Sequence, residues 1–230
     1  MTNRPAANET PTTTKQPQKY LLASSTNRVL IHGIDDSIPV AAVSDPHAGY
    51  QVSALTWSHN NTVIASCGVN SNQVTMARAS DGTVLQVMEL CPRGISVTDL
   101  CFSSKSSHIA FGCDDSSVGI LNVKAKRVET AIRDHDSAYT IRSVSFNVYD
   151  SLLATASSDG ELVVNQINLS ESNQATENSR VFRDRSMRSS LIMARFSSTK
   201  RHVLASAYEN GTICVWDLQT IMQQRKESQP

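Results

Sequence analysis

The sequence repeats one pattern four times, at intervals close to 45 residues. Each copy has a short apolar run that ends in an aromatic residue, a polar gap, and then a run of small residues. The aromatic residues lie 45, 44 and 50 residues apart, at Trp57, Phe102, Phe146 and Phe196. An alanine follows each of them at a nearly constant distance, at Ala65, Ala110, Ala154 and Ala205. Such a period predicts a stack of small structural units, because one unit alone cannot bury both faces of its sheet.

The second half of each copy predicts two antiparallel strands joined by a tight turn. Asp159-Gly160 and Asn210-Gly211 separate runs of apolar and β-branched residues. Glycine, asparagine and aspartate tolerate the positive φ angles that such hairpin turns require. A degenerate copy at residues 21–31 opens the series, without an aromatic residue before it. We therefore predict an all-β chain built from sheets of about four strands.

One array of these units is expected to cover residues 20–220. The predicted units are a partial one at 20–50 and further ones at 51–93, 94–136, 137–185 and 186–220. Residues 1–19 are rich in Thr, Asn, Pro and Gln and predict a disordered tail. Residues 221–230 predict a second tail or the truncated start of another unit. The polar insertion at 168–190 is expected to hold an outer strand around Val181 and Phe182.

Composition gives no sign of a polyanionic partner or a membrane. Twenty-one basic residues balance 21 acidic residues, so the chain has no net field that would attract nucleic acid or a lipid surface. No apolar run reaches the length of a membrane span. The five cysteines lack CxxC spacing, and we expect them to be reduced and buried, without zinc.

Motifs of catalysis are absent from the sequence. There is no GxSxG elbow, HExxH helix, P-loop or GxGxxG turn. We therefore predict a non-catalytic protein with no cofactor-binding or metal-binding residues. His135 is expected to be a structural hydrogen-bonding residue, and Trp57 and Trp216 are expected to be packing residues.

The run Val215-Trp216-Asp217-Leu218 resembles the dipeptide that gives WD40 repeats their name. The resemblance implies a WD40-type β-propeller, here incomplete, with about four to five blades of a usual seven or so. We expect either a fragment of a longer chain or a ring that another chain completes. The family's structural tetrad of His, Ser or Thr, Asp and Trp maps onto His135, Thr155, Asp159, Ser206 and Trp216.

The tetrad is incomplete in the third, fourth and fifth blades. Asn165 stands at the Trp position of the fourth blade, and Asn210 stands at the Asp position of the fifth. In the third blade Asp115 is present, but Phe111 and Asn122 are assigned to the Ser/Thr and Trp positions. Each missing bond is expected to cost only about 1 kcal/mol, so the blades are weakened without loss of the fold.

Three segments resemble a particular WD-repeat family, and the likeness extends over approximately residues 20–220. They are WSHNNTVIAS from Trp57, the stretch from Leu121 through SFNVYDSLLATASSDGELVV, and ENGTICVWDL from Glu209. The family is that of the neural-precursor-expressed, developmentally down-regulated WD-repeat proteins. It implies a targeting propeller of an adaptor that recruits the γ-tubulin ring complex, for microtubule nucleation, to the centrosome and mitotic spindle in the cytoplasm. It also implies a helical C-terminal region, expected to lie outside this chain, that grips γ-tubulin.

Three alternatives stay open at this stage. The second hypothesis for the function is a WD40 scaffold of a different complex, a ubiquitin ligase or an RNA-processing complex. Lys124, Lys126 and Arg127 form either a solvated turn or a contact with a protein partner. A third possibility, nucleic-acid binding, rests on Arg180, Arg183, Arg185 and Arg188, which have only Phe182 as a stacking residue.

Overall fold

The fold was analysed in a computed structural model, which describes residues 20–25, 28–33, 38–44, 46–136, 138–169 and 179–227. The predicted tail at 1–19 lies outside these residues. The first sheet contains β1 (Tyr20–Ser25), β2 (Arg28–Gly33) and β3 (Pro39–Ser44). The second contains β4 (Val52–Trp57), β5 (Val63–Gly68), β6 (Gln73–Arg78) and β7 (Val84–Glu89).

Three further sheets follow in chain order. The third contains β8 (Val97–Phe102), β9 (His108–Cys113), β10 (Val118–Asn122) and β11 (Arg127–Ile132). The fourth contains β12 (Ile141–Phe146), β13 (Leu152–Ser157), β14 (Leu162–Gln166) and β15 (Ser179–Asp184). The fifth contains β16 (Leu191–Phe196), β17 (Val203–Tyr208) and β18 (Ile213–Asp217), and helix α1 (Leu218–Glu227) follows it. We number the sheets as blades 1 to 5.

Each described blade is a meander of antiparallel strands, and the blades stack side by side through their inner strands β4, β8, β12 and β16. The predicted all-β fold, an incomplete WD40-type β-propeller, is confirmed. All four inner strands have a β-bulge after their first residue, at Ser53, Thr98, Arg142 and Ile192. A bulge changes the direction of a side chain. Two of the bulged residues donate side-chain hydrogen bonds to the next blade. Ser53 donates to the Val97 carbonyl, and Thr98 donates to the Ile141 carbonyl.

Turns at corresponding ends of the inner strands lie on the same side of the stack. At the end where the inner strands finish, the His59 backbone N–H donates to Ser106 Oγ at 2.7 Å. At the same end, Ser104 donates from its backbone N–H and its hydroxyl to the Asp150 carboxylate. We call this side the exit face and the opposite side, where the inner strands begin, the entry face.

An ion pair with a buried carboxylate, Asp99, and a half-buried guanidinium, Arg195, joins three blades. Asp99 on β8 accepts a hydrogen bond from the Val144 N–H on β12, at 2.9 Å, and another from the Arg195 guanidinium on β16, at 3.0 Å. The same guanidinium donates to the Val144 carbonyl at 2.8 Å. Because the carboxylate is almost completely buried, these donors offset its desolvation.

The hydrophobic core lies between neighbouring blades. Between blades 4 and 5 it includes Ala154, Leu162 and Val164 from blade 4 and Leu191 and Leu204 from blade 5. All five are completely buried. Phe102 and Phe146 are buried, whereas Trp57 and Phe196 are partly exposed.

Blade 3 replaces a hydrogen-bonding residue with an aromatic one. Phe111 stands at the Ser/Thr position, and its ring occupies the space beside Gly119 on the paired strand. A Cβ atom at Gly119 would lie 2.1 Å from that ring, so only glycine fits there. The strand register also corrects one assignment from the sequence. Leu121, and not Asn122, is equivalent to Trp216, because Leu121 pairs with Ile109 as Trp216 pairs with Leu204.

The chain after β18 forms a helix where the sequence predicts a tail or the start of another blade. The Asp217 carboxylate accepts hydrogen bonds from the Gln219 N–H at 3.0 Å and from the Thr220 hydroxyl at 3.2 Å, and thereby caps the helix. The residues that follow have no Gly or Pro and favour helix. Leu218 and Ile221 anchor α1 against the cluster that contains Phe182 and Trp216.

Candidate interaction surface

Blade 4 contains a buried polar network around His135, which lies in the turn before β12. His135 Nε2 is 2.7 Å from Thr155 Oγ1 on β13. His135 Nδ1 is 3.2 Å from a carboxylate oxygen of Glu161. Glu161 directly precedes β14. Glu161 is fully buried and also accepts from the Arg183 guanidinium on β15. The network therefore links the turn, the middle strands and the outer strand of this blade.

Asp159 stands apart from His135. Its carboxylate accepts from the Glu161 N–H at 3.1 Å inside the turn and pairs with Arg185 at 2.8 Å. Glu161 takes the place beside the histidine that the WD40 resemblance gives to Asp159. The sequence analysis did not single out Glu161. Its only signal was an acid immediately after an Asp-Gly turn, which is also common on solvated hairpins.

In blade 5 the structure brings Ser206 and Trp216 together. The indole Nε1–H donates to Ser206 Oγ at 2.9 Å. The indole ring also lies against Phe182 of blade 4, with 5.3 Å between ring centroids. Trp216 therefore contributes both a hydrogen bond and an interblade contact. At the equivalent place in blade 4, Asn165 is buried, and its amide atoms have no partner among the described residues.

A second histidine network was missed in blade 2. His47 Nε2 lies 2.9 Å from Ser66 Oγ, and Thr75 donates to the Pro46 carbonyl at 2.8 Å. His47 precedes β4 much as His135 precedes β12, and Ser66 pairs in the strand as Thr155 does. The common signal was a histidine five or six residues before an inner strand.

Burial favours the neutral forms of His135 and Cys67. Burial lowers the pKa of His135, although the nearby Glu161 carboxylate opposes this shift. Burial likewise raises the pKa of the Cys67 thiol to about 12. All five cysteines are free. The ring nitrogens of His135 face Thr155 and Glu161, so this histidine is positioned to hold a blade together.

Lys124, Lys126 and Arg127 lie on the exit face, in and just after the β10–β11 turn. The turn is fixed from inside, because Asn122 Oδ1 accepts from the Ala125 N–H at 2.8 Å and Lys126 N donates to the Asn122 carbonyl. Lys126 has a φ of 57°. All three basic side chains are exposed, and Arg127 lies 3.5 Å from Glu129. This fixed turn therefore presents positive charge to solvent.

The arginines proposed for nucleic-acid contact are partly engaged within the blade. Arg183 pairs with Glu161, and Arg185 pairs with Asp159. Arg188 is exposed, and the side chain of Arg180 lies outside the described residues. Two of the four charges are thus neutralised by carboxylates of this chain.

Two further observations concern the described part of the chain. No group of three or more His, Cys, Asp or Glu side chains there has the arrangement of a metal site. In the same residues, no helix combines the length and the apolar character that crossing a bilayer requires.

Comparison with known proteins gives two kinds of match. The family described as WD domain, G-beta repeat, matches residues 126–164 and 188–217. The chain is also similar to Protein NEDD1 of Homo sapiens, with 25% identity over 183 residues, which is 76% of this chain and 25% of that protein. Protein NEDD1 of Bos taurus is 25% identical over 175 residues. The chain spans about a quarter of the length of these curated relatives.

Proposed function

We propose that this chain, which carries WD40 repeats and folds as an incomplete WD40 β-propeller, is the targeting part of an adaptor that recruits the γ-tubulin ring complex. WD40 repeats indicate a protein-interaction scaffold, and the similar proteins belong to a non-catalytic scaffold class. The proposed adaptor acts at the centrosome and mitotic spindle. Its partners there are components of the γ-tubulin ring complex or other centrosomal proteins.

The single observation that carries the adaptor role is the similarity to Protein NEDD1 over 76% of the chain. The segments that carry the resemblance include the Lys124 to Arg127 turn and the β12–β13 turn with Asn147 and Asp150. Both turns lie on the exit face.

The proposed mechanism is rigid display of turns. Exit-face turns of blades 2, 3 and 4 each donate a hydrogen bond to the next blade, from His59, Ser104 and Asn147. A turn held at both its own strands and its neighbour loses little conformational entropy when a partner binds. No bond chemistry is required of such a surface.

The adaptor role is tested by following the fluorescently tagged protein through mitosis. Enrichment at centrosomes or spindle poles is expected, and γ-tubulin should be recovered when the tagged protein is purified from dividing cells. Diffuse signal throughout mitosis would refute the adaptor role but not the scaffold role. Recovery of ubiquitin-ligase or RNA-processing subunits in place of γ-tubulin would assign the scaffold to one of those complexes.

A matched pair of variants asks whether the Lys124 to Arg127 turn contacts the partner. Replacing Lys124, Lys126 and Arg127 by glutamate should weaken enrichment at the poles. The control, with Arg93, Arg133 and Arg188 replaced by glutamate, makes the same change of charge in exposed turns of the opposite face. Equal enrichment of the two variants would mean that the turn is only a solvated part of the blade.

A further inference from the structure

The fold separates charges that cancel in the sequence. The described exit-face turns, at 58–62, 79–83, 103–107, 123–126, 147–151 and 197–202, contain five Lys or Arg residues and two Asp residues. The described entry-face turns contain four Arg residues and seven Asp or Glu residues. Although the chain has a formal net charge of zero, the described turns of the exit face therefore have an excess of positive charge.

All the lysines in the described blades lie in exit-face turns: Lys105, Lys124, Lys126 and Lys200. All four are exposed. None of them belongs to an ion pair found among the described residues. Lysine carries its charge on a long, mobile side chain, so these four charges are available to a partner.

The two carboxylates in the described exit-face turns, Asp81 and Asp150, already have partners within the chain. Asp81 pairs with Arg78 at 2.9 Å, and Asp150 accepts two hydrogen bonds from Ser104. Hydrogen bonds from the turn lower the pKa of Asp81, which keeps it ionised and bound locally. These acids therefore fix the turns and leave the lysines without local neutralisation.

Two concavities lie among these lysines. The first, of about 160 Å³, opens where the inner strands end and is lined by Phe102, Phe146 and Phe196 with polar turn residues around them. The second, of about 280 Å³, lies between blades 3 and 4 and is lined by Lys105, Tyr149, Ile167 and neighbouring residues. Arg201 lies over the Tyr149 ring at 5.4 Å. The first concavity is thus an apolar socket of side-chain size, whereas the second has a more polar lining.

We propose that the exit face binds an acidic peptide segment that inserts one apolar side chain into the Phe102, Phe146 and Phe196 socket. The proposal deepens the scaffold function proposed above and rests on it, because it names the surface and the chemistry of the partner. Carboxylates of the segment pair with the four lysines. The exposed Ser, Thr and Asn residues of the turns supply hydrogen-bond donors to its backbone.

Nucleic acid and membrane are less suitable partners for this face. Single-stranded nucleic acid binds in a positively charged groove with exposed aromatic rings for stacking. The described turns of this face instead have dispersed lysines and one exposed tyrosine, Tyr149, with Arg201 over its ring. A lipid surface requires a flat basic patch with apolar side chains that protrude. Here the apolar residues line recesses, which a peptide side chain can enter.

The binding test uses a short fluorescein-labelled peptide of glutamates around one central phenylalanine. Fluorescence anisotropy should give saturable binding that weakens as salt is added. A peptide with glycine in place of the phenylalanine should bind several-fold more weakly. A lysine peptide of the same length should not bind. Equal binding of the glutamate and lysine peptides would overturn the proposal.

Charge-reversal variants locate the site on the protein. K105E/K200E and K124E/K126E should each bind the peptide about tenfold more weakly. The control R93E/R188E makes the same change of charge on the entry face and should bind as the unmodified protein does. All the substituted side chains are exposed, so thermal unfolding curves should be unchanged. An equal loss in the control variant would overturn the proposal.

Competition separates the partner classes. A single-stranded oligonucleotide and vesicles of phosphatidylserine and phosphatidylcholine should displace the peptide poorly. If either binds more tightly than the peptide and loses affinity in the lysine variants, the face is a nucleic-acid or membrane surface and the peptide proposal is wrong. Failure of peptide binding alongside normal enrichment at spindle poles would reject this proposal and leave the proposed function standing.

Discussion

The first three strands of blade 4 have equivalents in the three strands of blade 5, but the two blades differ in what covers the sheet face that points toward the C-terminal end of the stack. In blade 4, Leu162 and Val164 are completely buried against blade 5. The equivalent residues of blade 5 are Ile213 and Val215, and each is 71% exposed. Residues of the same type at the same positions are therefore core in one blade and surface in the next.

The difference shows that the stability of each blade depends on its neighbour. An apolar strand side chain stabilises the fold only when another blade removes it from water. The local hairpin geometry is the same in both blades, because both have a tight turn with a positive-φ glycine, Gly160 or Gly211. Burial is therefore a property of the stack and cannot be assigned to a strand alone.

The largest expected effect is on the free energy of unfolding, and it compares the buried sheet face of blade 4 with the exposed sheet face of blade 5. Leu162→Ala should lower the free energy of unfolding by about 3 kcal/mol, because it removes buried methyl groups and leaves a cavity. The matched change Ile213→Ala should cost less than about 0.5 kcal/mol, because that side chain is mostly in water. Urea unfolding of both variants measures the contrast. Similar losses would mean that Ile213 is covered in solution.

The next effect concerns the polar network that blade 4 has and blade 5 lacks. Glu161→Gln should lower the free energy of unfolding by about 2 kcal/mol, because the ion pair with Arg183 is lost and His135 faces a neutral amide. Thr212 occupies the equivalent position in blade 5, and Thr212→Ala serves as the control, with an expected change within about 0.5 kcal/mol. A neutral Glu161→Gln would show that the network contributes no net stability.

A smaller gain in stability is expected at Asn165. Leucine occupies the equivalent place in blade 3, at Leu121, and the buried Asn165 amide has no partner among the described residues. Asn165→Leu should therefore raise the free energy of unfolding by about 1 kcal/mol. Thermal unfolding would detect this as a higher Tm. A lower Tm would indicate that the amide has a bound partner in solution.

The smallest effect is a dependence on pH. Burial keeps the pKa of His135 below its usual value of 6.5, so the folded chain takes up fewer protons than the unfolded chain. Stability should therefore be fully present above pH 6.5 and should fall as the pH is lowered through the lowered pKa. The variant His135→Gln should have a flatter profile between pH 7 and pH 5. An unchanged profile would assign the acid sensitivity to other groups.

The sequence was sufficient for features that repeat. The aromatic residues at Trp57, Phe102, Phe146 and Phe196 mark the ends of four inner strands, and the outer strand expected around Val181 and Phe182 is β15. The repeat in the sequence predicts these features, because each blade packs against the next in the same way and needs similar residues at equivalent positions. His135 and Thr155 were named together because their spacing matches a family motif.

Features that depend on one place in the stack were not predictable. Glu161 replaces Asp159 beside His135, and nothing in the local sequence distinguishes the two acids. The Arg195 guanidinium pairs with the Asp99 carboxylate, which lies 96 residues earlier in the sequence and two blades away. The difference in charge between the described turns of the two faces was also not predicted, because the net charge of a sequence does not show on which face each charged residue lies. Each of these depends on three-dimensional position rather than on a pattern along the chain.

The Asp99–Arg195 pair limits how this array can evolve. Repeat proteins change length when whole units are duplicated or deleted, provided that each unit interacts only with its immediate neighbours. Here the carboxylate of one unit is held by the next unit and by the one after it. Deleting the middle unit would place the Ala194 N–H where the Val144 N–H is, but it would move the Arg195 guanidinium away from the Asp99 carboxylate. Inserting a unit would also separate the guanidinium from the carboxylate. Any change in the number of units between blades 3 and 5 would therefore break this pair.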